Sequence, residues 1–245
     1  MKLHVLGCGD AFGSGGRNHS GYLVEASDRL FLLDCGPTSL LAMKKLGFDS
    51  RRLDVIFLSH LHGDHFGGLP FFFIEYMYQK KREKPLHVAG PVGAEEKVCG
   101  LFNLMYGRDT GESKDLPPSK FHVLQPDKST DIEGIGVFSF RVPHQVNEVS
   151  LALKVSYEGK QILFSGDSAW TDQFRTHARN VDLFLCECSS YDRQTSNHMN
   201  YRELQNQLST LQCGKIILTH MGDDMLSREA EIAYPTAQDG IAIEI

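Results

Sequence analysis

The chain has 245 residues, 41% of them hydrophobic, and a formal net charge of −6. That is enough apolar material for a substantial core, and the charge excludes a bulk basic surface of the kind that binds nucleic acid nonspecifically. Met1-Lys2-Leu3-His4-Val5-Leu6-Gly7 lacks the apolar region of a secretory signal, no apolar run reaches the length of a membrane span, and the six scattered cysteines read as reduced thiols. A cytoplasmic protein with no membrane partner is expected.

Apolar runs at 2–6, 22–25 and 30–33 read as strands joined by polar or Gly-rich connections. Thr38 stands at an N-cap position for a helix that runs through Lys45 and closes at Gly47. Val55-Ile56-Phe57-Leu58 is an uninterrupted apolar run, the pattern of a strand buried on both faces. The aromatic-rich stretch 66–79 reads as a helix, although Phe71-Phe72-Phe73 makes it apolar on nearly every side. A strand at 86–89 precedes a helix that starts at about Pro91, which suits a first turn, and stops near Gly107. Residues 109–120, with Gly111, Pro117 and Pro118, form the best linker candidate, too short to mark a second domain. Strands follow at 121–124, 137–142, 151–157 and 161–164, the last two joined by a turn at Glu158-Gly159-Lys160. A strand at 182–186, a helix at 201–211 and a strand at 215–219 come last, with Asn200 and Glu203 spaced as a capping box. This order predicts one α/β domain over 1–245, two mostly β halves packed face to face with helices outside.

Directly after the buried strand comes Ser59-His60-Leu61-His62-Gly63-Asp64-His65. Imidazole and carboxylate are good zinc donors, and such a cluster in a solvent-facing loop points to metal rather than to core hydrogen bonding. Three further candidates also sit just past strand ends: His144 after Pro143, Asp167 in Ser165-Gly166-Asp167, and His220 after the strand 215–219. A carboxylate among several imidazoles can bridge two metals. His4, His87 and His122 lie inside strands and His177 in a polar helix, so these four read as structural or surface residues. Cys186-Glu187-Cys188 lacks the spacing of a redox or zinc pair and reads as small buried residues at a strand end.

His60-Leu61-His62-Gly63-Asp64-His65, with His144, Asp167 and His220 in that order, resembles the metallo-β-lactamase superfamily. The resemblance spans nearly the whole chain and implies the αββα four-layer sandwich with two divalent metal ions at its edge. Zinc suits these donors best, and manganese or iron suits them too. Carried over by position, His60, His62 and His144 hold one ion, Asp64, His65 and His220 the other, and Asp167 bridges them. The implied chemistry is attack by a metal-activated hydroxide on an ester-like centre.

Other segments resemble the ribonuclease Z-like phosphodiesterase branch: Leu6-Gly7-Cys8-Gly9-Asp10, Arg17-Asn18-His19-Ser20, the continuation of the His motif to Leu69-Pro70, and Gly90-Pro91-Val92-Gly93. In that branch a His-Glu-Ala-Thr loop follows the strand that here ends in Cys186-Glu187-Cys188-Ser189, so only Glu187 is kept. His198 matches a histidine beyond that loop. The resemblance implies that His198 contacts the phosphoryl group or leaving group, that Glu187 orients His198, and that Asp64 adds proton transfer to its ligand role. No Gly/Pro-rich basic arm for gripping tRNA is found, and the basic run Lys80-Lys81-Arg82-Glu83-Lys84 reads as a solvated helix C-terminus. The expected substrate is therefore a small phosphodiester, such as a cyclic nucleotide, or a short nucleic acid, and a homodimer is compatible with the chain. The alternative is a thioester or lactone hydrolase of the glyoxalase II type, which shares the seven-ligand pattern. A non-catalytic binding protein on this scaffold comes third, because the ligand set is complete.

Overall fold

The computed structural model describes residues 1–107 and 116–245. Most of the linker candidate at 109–120 lies outside the described residues. Two sheets dominate the rest. The first has the order β13-β1-β2-β3-β4-β5-β6, built from β1 (Lys2–Gly7), β2 (Gly21–Glu25), β3 (Leu30–Leu33), β4 (Val55–Phe57), β5 (Leu86–Gly90), β6 (Ser119–Val123) and β13 (Ala242–Glu244). The second has the order β12-β11-β10-β9-β8-β7, from β7 (Lys128–Ile132), β8 (Ile135–Arg141), β9 (Leu151–Tyr157), β10 (Lys160–Phe164), β11 (Leu183–Glu187) and β12 (Lys215–Thr219).

Side-chain alternation along the strands explains the layering. In β4, Val55 and Phe57 point between the sheets, where they meet Ile162, Phe164 and Leu185 of the second sheet. Ile56 points the other way, into a layer closed by α1 (Ser39–Lys45), α3 (Leu69–Tyr78) and α4 (Ala94–Tyr106) through Met43, Phe72 and Phe102. Leu163 and Phe184 do the same on the far side, against α5 (Gln173–His177), α6 (Tyr201–Leu208) and α7 (Asp223–Leu226) through Phe174, Leu204 and Met225. Helix, sheet, sheet, helix is the αββα sandwich expected from the sequence.

Strand direction then gathers the loops. β10, β11 and β12 are parallel, and β8 points the same way because it is antiparallel to β9, which is antiparallel to β10. Asp167, Glu187, His220 and His144 consequently leave the second sheet at one edge.

Some expected elements differ. The helix at 66–79 is two helices, α2 (Gly63–Phe66) and α3, separated at Gly67-Gly68. A Cβ on Gly68 would lie 2.2 Å from the Gly36 carbonyl oxygen, so the chain breaks where it presses on the neighbouring loop. The helix expected from Pro91 begins three residues later, after Gly93 at φ 88°. Thr38 precedes α1 without capping it, because its hydroxyl accepts from the His19 amide instead, at 3.0 Å. Asn200 does cap α6 through the Glu203 amide at 3.0 Å, but Glu203 bonds Gln194 rather than closing a box. The basic run follows the end of α3 and is solvated at Lys81, Glu83 and Lys84, with Arg82 the exception. Arg82 is buried, stacks over Tyr76 and donates to the Arg51 and Pro85 carbonyls.

Candidate metal centre

Each candidate donor is placed by a short loop at that edge. His60 and His62 follow β4, and Asp64 and His65 occupy the first turn of α2. Asp167 follows Gly166, whose φ is 57° and whose missing Cβ would press to 2.8 Å on Ser59. His220 has φ 57°, an uncommon conformation for a side-chain-bearing residue, and its amide is tied to the Cys8 carbonyl at 3.0 Å.

Beside a smaller group of Glu187, His198 and His220, two groups of donor atoms gather the seven candidates, each able to hold a metal ion: His60, His62, His144 and Asp167 in one, Asp64, His65, Asp167 and His220 in the other. Asp167 belongs to both. Its Oδ2 faces His60 Nε2 and His144 Nε2, each at 3.8 Å. Its Oδ1 faces His65 Nε2 at 3.3 Å and His220 Nε2 at 3.4 Å.

The hydrogen bonds behind the rings decide which nitrogens face inward. His144 Nδ1 donates to the Asn197 carbonyl at 3.0 Å, leaving Nε2 as a lone pair. Ser59 Oγ donates to Asp34 Oδ2 at 2.8 Å and so receives the proton of His60 Nδ1 at 3.0 Å, again leaving Nε2 bare. Both Nε2 atoms stand 3.1 Å from His62 Nδ1. A neutral imidazole carries one N–H, which can satisfy only one of these two contacts. A cation among the three nitrogens resolves the conflict, so the residues fit a metal. In the second group His65 Nδ1 donates to Asp34 Oδ2 at 2.6 Å, while Nε2 is buried with no hydrogen-bond partner although Asp64 Oδ2 lies at 3.1 Å. His220 Nε2 is 3.4 Å from the same Asp64 oxygen.

The two groups differ electrostatically. Burial lowers the pKa of His60, His62 and His144. Burial also opposes charge on His65 and His220, but there the carboxylates win. Asp167 and Asp34 hold His65 well above its ordinary range, and Asp167 and Asp64 raise His220 to about 9. Asp167 itself is buried, yet the imidazoles of His220 and His65 keep its pKa well below the usual carboxylate range.

His198 lies outside both groups but against them. Its ring stacks on His220 with centroids 5.9 Å apart and meets His144 edge-on at 4.8 Å. Its Nδ1 is 2.7 Å from Glu187 Oε1, which also accepts from the Ser168 amide at 2.8 Å, while Glu187 Oε2 accepts from the Met199 amide. Burial works against charge on His198, but Glu187 overrides it and raises its pKa.

Asp34 is the residue that sequence reasoning missed. It is fully buried, serves His65 directly and His60 through Ser59, and stands at φ 56°. An aspartate followed by Cys35-Gly36 at the end of β3 was the available signal. Among the four histidines read as structural, His87 and His122 stack on each other away from the site and His177 stacks on Phe140. His4 pairs with Glu25. The donors open onto a cavity of about 410 Å³ lined by His62, Asp64, His198, Phe12, Arg193 and Asp223, among others. A larger cleft of about 570 Å³, over the second sheet near Lys154 and His177, holds none of them.

A sequence-family profile described as Anti-Pycsar protein Apyc1 matches residues 1–236. The chain belongs to the Anti-Pycsar protein Apyc1 family. As an Apyc1-family chain it is also similar to the Bacillus subtilis protein named "Probable metallo-hydrolase YhfI", at 26% identity over 96% of this chain and 94% of that protein. The YhfI crystal structure, described as a metallo-β-lactamase fold protein, superposes with a TM-score of 0.79 at 24% identity over 99% of both chains. Ribonuclease Z of Methanosarcina acetivorans is 26% identical over 98% of this chain and 92% of that protein. The structure of human tRNase Z, short form, superposes with a TM-score of 0.77 at 22% identity, covering 100% of this chain and 99% of that one. The fold of this Apyc1-family chain is thus the metallo-β-lactamase fold.

Proposed function

We propose that this chain is a metal-dependent hydrolase of small phosphodiesters that binds two divalent ions, zinc foremost. His60, His62 and His144 would hold one ion, Asp64, His65 and His220 the other, and Asp167 both. When bound, such a pair lowers the pKa of water and offsets charge on a phosphoryl group. The observation that carries the reading is the division of the two Asp167 oxygens between the donor groups, with a Glu187-braced imidazole beside them.

The side chains around the donors have distinct tasks. Glu187 keeps a proton on His198 Nδ1 and favours the charged ring, so Nε2–H stands ready to donate to a phosphoryl or leaving-group oxygen. Asp64 lines the cavity as well as the second donor group, so the proton-transfer role that the resemblance implies for it would act beside the substrate. A cavity of about 410 Å³ suits a cyclic nucleotide or the end of a short oligonucleotide, and the net charge of −6 disfavours a long polyanion. The names of the ribonuclease Z relatives support phosphodiester chemistry.

A panel assay after zinc loading tests the reading, with bis-p-nitrophenyl phosphate, 2′,3′-cyclic nucleotides, a thioester, a lactone and a β-lactam. The phosphodiesters should be hydrolysed fastest and precursor tRNA poorly. A clear thioesterase preference would overturn the substrate class.

A further inference from the structure

Phe12 is 89% exposed on the wall of the cavity that holds the donors. A phenyl ring left in water forgoes roughly 1.5–3 kcal/mol of burial, which a ligand that covers it can recover. This loop is held firmly. Asp10 Oδ1 accepts from the Phe12 amide at 3.1 Å and the Ser14 amide at 3.0 Å, and Asp10 Oδ2 accepts from Ser14 Oγ at 2.8 Å. The Gly15 amide donates to Asp223 Oδ1 at 3.1 Å, pinning the loop to the start of α7. Gly13 and Gly15, at φ 65° and 63°, supply the left-handed turns that this course requires. The bracing serves the backbone on either side of Phe12 and leaves its ring uncovered.

Around Phe12 the cavity gathers the polar or charged side chains of Asp64, Asp223, Asp224, Arg193, Thr195 and His198, with Ala11 and Gly222 adding apolar surface. Asp223 and Asp224 are occupied by backbone amides, of Gly15 and of Tyr191 respectively. Among the described residues, Phe12 is the one aromatic hydrocarbon surface lining this pocket, whose donor groups suit a phosphoryl group and its metals. Every nucleobase has a π-face that stacks on an aromatic ring with little regard to sequence. Resting on the phosphodiesterase reading, we propose that Phe12 is a specificity-determining residue, a fixed platform on which the base of a nucleoside phosphodiester stacks.

Two substrates with one leaving group test this: thymidine 5′-p-nitrophenyl phosphate, which carries a base, and methyl p-nitrophenyl phosphate, which does not. Phe12→Ala should raise KM for the first about tenfold, the lower part of the range for losing one base–aromatic stack. Its kcat, and both constants for the methyl ester, should stay within about twofold. Phe12→Trp should restore the thymidine KM. Calorimetric binding of thymidine 5′-monophosphate should weaken about tenfold in Phe12→Ala, while inorganic phosphate binds unchanged. Equal losses on both esters, or no loss on either, would overturn the platform. So would an unchanged KM in a variant whose sedimentation shows a changed oligomeric state, since Phe12 would then be covering a second copy. If wild type cleaves neither ester, the phosphodiesterase reading falls, and the monophosphate titration still decides the role of Phe12.

Discussion

The two donor groups meet at Asp167, yet they are built on opposite principles. His60, His62 and His144 are three imidazoles, only His62 of them exposed, whose desolvation favours the neutral ring, and the bare Nε2 atoms of two of them meet the single Nδ1 of His62. Asp64, His65 and His220 are steeped in carboxylate, which raises the pKa of both rings against the effect of burial. The first group is frustrated until a cation enters, whereas the second can be partly satisfied by protons. A metal entering the second group must displace protons, so its affinity should depend more steeply on pH than that of the first.

The His87–His122 pair makes the contrast plainer. His122 Nε2 lies 3.1 Å from His87 Nδ1, and one N–H shared with one lone pair satisfies the contact. Two rings can settle without a metal, and three cannot.

Removing the shared residue should have the largest effect. Asp167→Ala should leave both groups short of a donor, lowering metal content and kcat/KM together, the latter by ~10³-fold or more. Retention of both ions in that variant, measured by mass spectrometry of the metal, would break the claim that the groups share a residue. Next, His198→Ala should keep both ions while kcat falls by ~10²–10³-fold and KM changes little, the scale of losing one charge-stabilising donor. Loss of an ion would move His198 into the coordination sphere, and near-normal kcat would make it a structural residue.

Asp34→Asn removes a charge behind the ligands while keeping shape. The second group should lose about 10–100-fold in metal affinity, as for other outer partners of ligating histidines. The first group, reached only through Ser59, should lose less. A competition titration with a chromogenic chelator that finds the reverse order would invert the comparison.

The smallest effect concerns the metal-free pair. Burial lowers the pKa of both His87 and His122 in the fold. The unfolded chain, with histidines near about 6.5, then binds protons more readily, so this contribution to stability is complete above that pH and declines as pH falls through it. His122→Asn should flatten the acid side of the urea-midpoint profile by a small amount and leave metal content untouched. An unchanged profile would show that the pair carries no such linkage.

How much of this was legible in the sequence follows from how local each signal is. β9 and β12 match the apolar runs from which they were read, at Leu151–Tyr157 and Lys215–Thr219, because buried strands announce themselves in composition. β7, with the sequence Lys-Ser-Thr-Asp-Ile, and the three-residue β13 are edge strands with few apolar side chains, and they exist only by pairing with β8 and β1. The break before α3 answers to a backbone contact with Gly36, thirty-two positions away, which no local pattern carries. At the site, the compact run from His60 to His65 could be read directly, and His144, Asp167 and His220 could be found by their positions after strands. The Asp34 partnership with His65 could not, because a second hydrogen bond behind a ligand has no spacing rule. Nor could the exposure of Phe12, which depends on how Asp10 and Asp223 fasten its loop.

The central claim is that two distinct groups, joined by Asp167, each hold an ion. Metal counting on wild type and His62→Ala, both saturated with zinc and freed of excess, tests it most directly. Two ions per wild-type chain and one per variant chain, the survivor held by Asp64, His65 and His220, is the expected result. One ion per saturated wild-type chain, or loss of both ions in His62→Ala, would contradict it.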